Sequence, residues 1–125
     1  MAILRGEIYW VDWSPARGSE QAGVRPAIVL QNDVGNRTSS TTIVAALTSR
    51  FERVYPFMVR LEPTETGLAI PSVVNLSHLV TISQDRLLPP RGEPNLRPVS
   101  HIGYPRMMEI ERALSLSLGL PTSLT

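Results

Sequence analysis

Between Glu7 and Ser83 the apolar residues come in short β-rich runs, each closed by proline, glycine or Asn/Asp turn chemistry, and only the segment after Pro105 carries helical spacing. Many short strands followed by one helix point to a small β-barrel. Glu7-Ile-Tyr-Trp-Val-Asp-Trp13 crowds aromatic and branched side chains together and reads as the first strand. Pro26-Ala-Ile-Val-Leu-Gln31 is almost continuously apolar, the pattern of a central strand. Thr42–Thr48 is the third, and Phe57-Met-Val-Arg-Leu61 alternates as a half-exposed fourth. Ser72–Ser83 is long enough for one bent strand or two, and a bend near its middle is what closing a small barrel demands.

The connections follow from their punctuation. Ser14–Gly23 is a loop, Asn32–Arg37 carries turn chemistry, and Arg86–Pro94 reads as a short turn and a surface connection. The last element is a helix with Pro105 in its first turn, Gly119 after its last apolar turn and Pro121 beyond. Met107, Ile110, Leu114 and Leu118 share one face, and Leu116 and Leu120 widen the stripe, so that core packing and a subunit interface both fit it. With 125 residues there is room for one core, and a single domain over 1–120 with a tail at 121–125 is expected.

Several chemistries are excluded by what is missing. There is no cysteine, hence no disulfide and no thiolate nucleophile or ligand. There is no HExxH, and the two histidines, His78 and His101, sit in different elements, so neither a metal site nor a cofactor is expected. Gly18 to Gly23 spans a GxxxxG, but Val24-Arg25 follows where a nucleotide loop needs Lys-Ser/Thr. The G-x-S-x-G elbow of a serine hydrolase is absent. No apolar run reaches the ~20 residues of a membrane span, and the polar start at Arg5 does not suit a signal peptide. A cytoplasmic protein without a membrane partner is expected.

The net charge of +1 does not mark the whole surface as a nucleic-acid binder, but every basic residue is arginine, able to grip phosphate in bidentate fashion. Arg37, Arg50, Arg53 and Arg60 face only one acid, Glu52, in their stretch. Arg25 stands before Pro26, which holds it in extended backbone at the start of a strand. Thr48-Ser49-Arg50 ends the third strand. If these strand ends are neighbours, a phosphate fits between Arg25 and the hydroxyls of Thr48 and Ser49; the alternative is a surface salt bridge at Arg25 and a plain strand end at Thr48.

The residues also resemble a known family. Arg5-Gly-Glu-Ile-Tyr-Trp-Val-Asp12, Gly18-Ser-Glu-Gln-Ala-Gly-Val-Arg-Pro-Ala-Ile-Val-Leu-Gln-Asn-Asp33, Gly35-Asn-Arg37 and Thr42–Ser49 look like the MazF/PemK/Kid toxins, in order and at their spacing. Thr81-Ile-Ser-Gln-Asp-Arg-Leu87 and Ala113–Leu120 extend the likeness to almost the whole chain. The resemblance implies an SH3-like barrel of the PemK/CcdB kind, working as a homodimer. It implies cleavage of single-stranded RNA without metal, leaving a 2′,3′-cyclic phosphate and a 5′-hydroxyl. It also implies a MazE-like antitoxin whose acidic C-terminal segment occupies the RNA groove.

The family's catalytic residues carry over to Arg25 and Thr48, while Ser19, Gln21, Ser49, Arg50 and Arg86 are expected at the RNA. Glu20 lies in the motif loop as a candidate proton acceptor or gate. His78 stands where relatives commonly have glutamine, and two roles fit it, acid–base chemistry near neutral pH or contact with a base edge. Val80, Ser83 and the Pro89–Pro98 connection also depart from the family pattern, which bears on RNA sequence preference and antitoxin docking. Two other readings stay open: a CcdB-like toxin directed at gyrase, and a non-catalytic RNA-binding barrel with Trp10, Trp13 and Tyr55 as stacking platforms.

Overall fold

A computed structural model describes residues 2–14 and 23–121. The elements in order are β1 (Glu7–Asp12), β2 (Val24–Val29), α1 (Asp33–Thr38), β3 (Thr41–Thr48), β4 (Met58–Leu61), α2 (Pro63–Thr66), β5 (Ser72–Asn75), β6 (Val80–Ser83), a 3₁₀ turn (Gln84–Arg86), β7 (Leu87–Leu88), β8 (Ser100–His101) and α3 (Tyr104–Leu118). All strand pairings are antiparallel.

Three strands, β1, β2 and β3, form the middle of a curled sheet, and the outer edges of β1 and β3 are each shared by two short strands. On β1, His101 of β8 pairs with Glu7, and Leu88 of β7 pairs with Trp10. On β3, Thr41 to Val44 pair with β6, while Leu47 and Thr48 pair with β5, which passes the sheet on to β4. The stretch 72–83 is therefore two strands broken by a turn at its centre, where the Ser77 N–H donates to Asn75 Oδ1 at 2.9 Å. That break lets one continuous segment follow β3 around the curl.

Alternation along β1, β2 and β3 sends side chains into two apolar clusters. Ile8, Ile28, Leu30, Ala45 and Leu47 pack on one face against Met107, Ile110 and Ala113 of α3. Tyr9, Val11, Ala27, Val29 and Val44 pack on the other, closed by Ile3, Ile82 and Leu87. Burial on both faces is why β2 reads as an unbroken apolar run. The Tyr9 hydroxyl, inside the second cluster, donates to Glu7 Oε1 at 2.9 Å, which also receives the Leu4 N–H at 2.7 Å.

Three expectations change. Asn32–Arg37 is a short helix rather than a turn, because the Asn32 side chain caps it by accepting from the Gly35 N–H at 2.7 Å. The helix α3 begins and ends where proline and glycine placed it, with Gly119 in the left-handed region at φ 70°. Its buried face, however, is Met107, Ile110 and Ala113, with Leu114 partly buried, whereas Leu116, Leu118 and Leu120 are exposed. The Ser117 hydroxyl still donates to Leu76 O at 2.8 Å, so the last turn stays on the fold while Leu116 and Leu118 face away from it. Finally α2, β7 and β8 were not anticipated. For α2 the signal was present, since Pro63 starts it and Glu62 and Glu65 form a reciprocal capping box. No described helix is long and apolar enough to cross a membrane.

Candidate active site

The site begins with a missing donor. The Leu30 N–H reaches Ile43 O at 2.8 Å, so alternate N–H groups of β2 point toward β3, and position 26 belongs to that set. Pro26 has no N–H to give, and the β2–β3 ladder ends one residue short of it, at Ala27 opposite Ala46. Beyond that point β2 still follows β1 as far as Val24 opposite Asp12, while β3 is paired only on its far edge, Thr48 to Val73. Continuing the register would set Arg25 across from Thr48. Instead the two strand ends border a cleft of about 620 Å³.

Arg25, Thr48, Ser49 and Arg50 line this cleft together. Arg25 is half-buried, and its Nε is fully buried with no hydrogen-bond partner among the described residues. It forms no ion pair with a described carboxylate, so among the described residues the salt-bridge alternative finds no partner. A buried guanidinium N–H without an acceptor favours an incoming anion. Thr48 Oγ1 accepts the Arg50 N–H at 3.1 Å, which leaves the hydroxyl proton free to donate. That turn also sets Ser49 and Arg50, both exposed, at the mouth.

Trp10, which pairs with Pro26, lines the cleft together with Leu47. Further lining comes from the segment Gly67 to Ile70, which leads from α2 into β5, and from the buried Ser72 at the start of β5. Nothing in the sequence singled out this segment, because Leu68, Ala69 and Ile70 look like ordinary apolar residues between two elements.

Of the other expected site residues, some fall outside the described residues and the described ones lie elsewhere. Ser19, Glu20 and Gln21 are outside the described residues. His78 is exposed in the turn between β5 and β6 and does not line the cleft. Arg86 is turned to the end of β1, where Nη1 donates to Asp12 O at 3.0 Å and to Ser14 O. The four-arginine patch disperses: Arg37 ends α1, Arg53 lies over the Tyr55 ring, Arg60 pairs with Glu62 at 2.8 Å, and only Arg50 reaches the cleft. Among the possible stacking platforms, Tyr55 is itself stacked on Phe57 at 5.5 Å, and Trp13 packs on the second core cluster. His101 is exposed and lies against Gly6, with Nε2 at 3.2 Å from Arg5 O.

A curled antiparallel sheet with a C-terminal helix, its parted strand ends placing Arg25 beside Thr48 and Ser49 on one cleft, defines the class as a small β-barrel. The family model described as "PemK-like, MazF-like toxin of type II toxin-antitoxin system" matches residues 4–118, and the chain belongs to that family. It is 38% identical over 121 residues to Endoribonuclease EndoA of Bacillus subtilis (strain 168), covering 96% of this chain and 97% of the relative. It is 37% identical over 121 residues to Endoribonuclease MazF of Staphylococcus saprophyticus, covering 96% and 94%. Among solved structures, an endoribonuclease in complex with its cognate antitoxin from a mycobacterial species superposes with a TM-score of 0.76 at 24% identity, covering 98% of this chain and all of that one. MazF from Deinococcus radiodurans gives 0.73 at 26% identity, covering 96% and 99%. These likenesses agree with the SH3-like barrel expected from the sequence.

Proposed function

We propose that this chain is an endoribonuclease toxin that cuts single-stranded RNA by attack of the RNA's own 2′-hydroxyl. The 2′-oxygen bonds to phosphorus, the bond from phosphorus to the 5′-oxygen breaks, and the products are a 2′,3′-cyclic phosphate and a 5′-hydroxyl. The observation that carries the reading is the placing of Arg25 and Thr48 on one cleft, with the Arg25 Nε unpartnered among the described residues.

The protein's tasks in such a reaction are to hold the nucleophile in line and to stabilise charge on the phosphoryl oxygens. Arg25 takes the second task, because a guanidinium offers a fork of N–H donors and no acceptor. Thr48 donates to a non-bridging oxygen, and Ser49 and Arg50 hold the flanking backbone. The 2′-proton goes to Glu20 or to a water, and the departing 5′-oxygen is protonated in turn.

The toxin works as a cytoplasmic homodimer of a single domain. Leu116 and Leu118 in the last turn of α3, and Leu120 just after it, are each exposed apolar residues available to a second subunit. An antitoxin with an acidic segment is the natural inhibitor of a cleft holding Arg25 and Arg50, and the mycobacterial relative was solved with its own antitoxin. A gyrase-directed toxin would have no use for this cleft, and a supercoiling assay separates that reading.

The test is cleavage of a long unstructured RNA in excess EDTA, with Arg25→Ala as control and the fragment ends mapped. Discrete cuts with 5′-hydroxyl ends, lost in the control, are expected. Tight binding without cutting would leave a binding module.

A further inference from the structure

The cleft lining has two unlike stretches. One is cationic and hydroxylic, from Arg25 to Arg50; the other is Leu68, Ala69 and Ile70, three residues without a polar side chain that lead to the buried Ser72. Ile70 is 56% exposed, an apolar side chain that the fold itself leaves uncovered.

This apolar wall is fixed from behind. Gly67 turns it in the left-handed region at φ 74°, and a Cβ there would come within 3.3 Å of Val99. The Leu68 N–H donates to Oγ1 of the buried Thr66 at 3.0 Å, and Leu68 packs on the first core cluster. Just before it, Glu65 receives two hydrogen bonds from Arg106, at 2.7 and 3.0 Å. A helix cap, a glycine turn and an ion pair to α3 therefore hold the segment in place. A wall so braced can act as a template.

We infer that Leu68, Ala69 and Ile70 form the seat for a nucleobase next to the cut phosphate, and that Ile70 helps set which base is accepted. The inference rests on the nuclease reading. With the phosphate drawn to Arg25 and Arg50, the attached base is left to the apolar lining of the same cleft, where Leu68, Ala69 and Ile70 are joined by Trp10, Pro26 and Leu47. Apolar side chains cannot read a base edge by hydrogen bonds, so this seat selects by shape and stacking area. Selection by shape is modest: adding or removing a methylene in an apolar pocket changes discrimination by roughly 10–200-fold.

The test maps cut sites in a pool of random-sequence RNA for the wild type, Ile70→Ala and Ile70→Phe. Ile70 is exposed, so both variants should fold, which their thermal melts would verify. The expected result is that both still cut, that Ile70→Ala weakens base preference at one position flanking the cut by about tenfold, and that Ile70→Phe shifts the same position toward smaller bases. Unchanged preferences in both variants, or an equal fall in rate at every site, would overturn the inference while leaving the nuclease intact. No cutting by the wild type would remove the nuclease reading and this inference with it.

Discussion

The main-chain N–H of Arg50 donates to Thr48 Oγ1 at 3.1 Å, so the turn after β3 fixes the direction in which the Thr48 hydroxyl can donate. One lone pair is committed to the backbone, and the proton is left for the cleft. Thr48→Ser keeps both functions and should retain most of the activity. Thr48→Val keeps the shape but loses the donor, and kcat should fall by roughly 10²–10³, the usual effect of removing one donor to a developing oxyanion. Single-turnover cleavage of a short RNA reads the difference.

Pro26 keeps the cleft open by withholding an N–H from β3. Pro26→Ala restores that donor and lets the ladder advance toward Leu47, drawing Arg25 and Thr48 together. The expected variant melts no lower than the wild type but cuts RNA at least tenfold more slowly, since small misplacements of positioning groups carry large kinetic penalties. Loss of stability together with activity would show that Pro26 serves only the fold.

The Arg106 guanidinium, by hydrogen bonding to Glu65, holds that carboxyl below its ordinary range. A carboxyl lowered in the folded state adds stability above its unfolded pKa, ~4.3 for glutamate, and that gain fades as pH falls through the folded value. Between about pH 5 and pH 3 the melting temperature of the wild type should therefore drop more steeply than that of Arg106→Gln. Parallel melting curves would show that solvent already screens the pair.

Burial, and then the neighbouring Glu7, push the Tyr9 phenol above its usual range. The folded state thus holds Tyr9 neutral, and stability should fall as pH rises past ~10, where the unfolded phenol begins to ionise. Tyr9→Phe removes that dependence. It also leaves Glu7 without one of its two donors, at a cost of about 1–3 kcal/mol near neutral pH in a urea titration.

Much of the fold could be read from periodicity alone. The unbroken apolar run of β2 marked a strand buried on both faces, and the twelve residues from Ser72 to Ser83 announced the bend that divides β5 from β6. Proline and glycine placed both ends of α3. A helix stands at α1 in place of the expected turn because Asn32 and Asp33 suit a turn and an N-cap equally well, and only the chain around them selects between the two. The α3 stripe differs for a related reason: spacing shows which residues share a face but not how wide a face the core covers, and Leu116 and Leu118 fall outside it.

The candidate site divides in the same way. Residue type and backbone restraint made Arg25, followed by Pro26, and Thr48 recognisable in one dimension, because guanidinium chemistry and a fixed φ belong to the residues themselves. Their meeting across 22 intervening residues depends on where a ladder stops, and that is a property of two strands at once. The turning of Arg86 to the end of β1 and the apolar wall at Leu68 to Ile70 were settled by tertiary packing. Local sequence determines what a side chain can do; only the folded sheet determines what it faces.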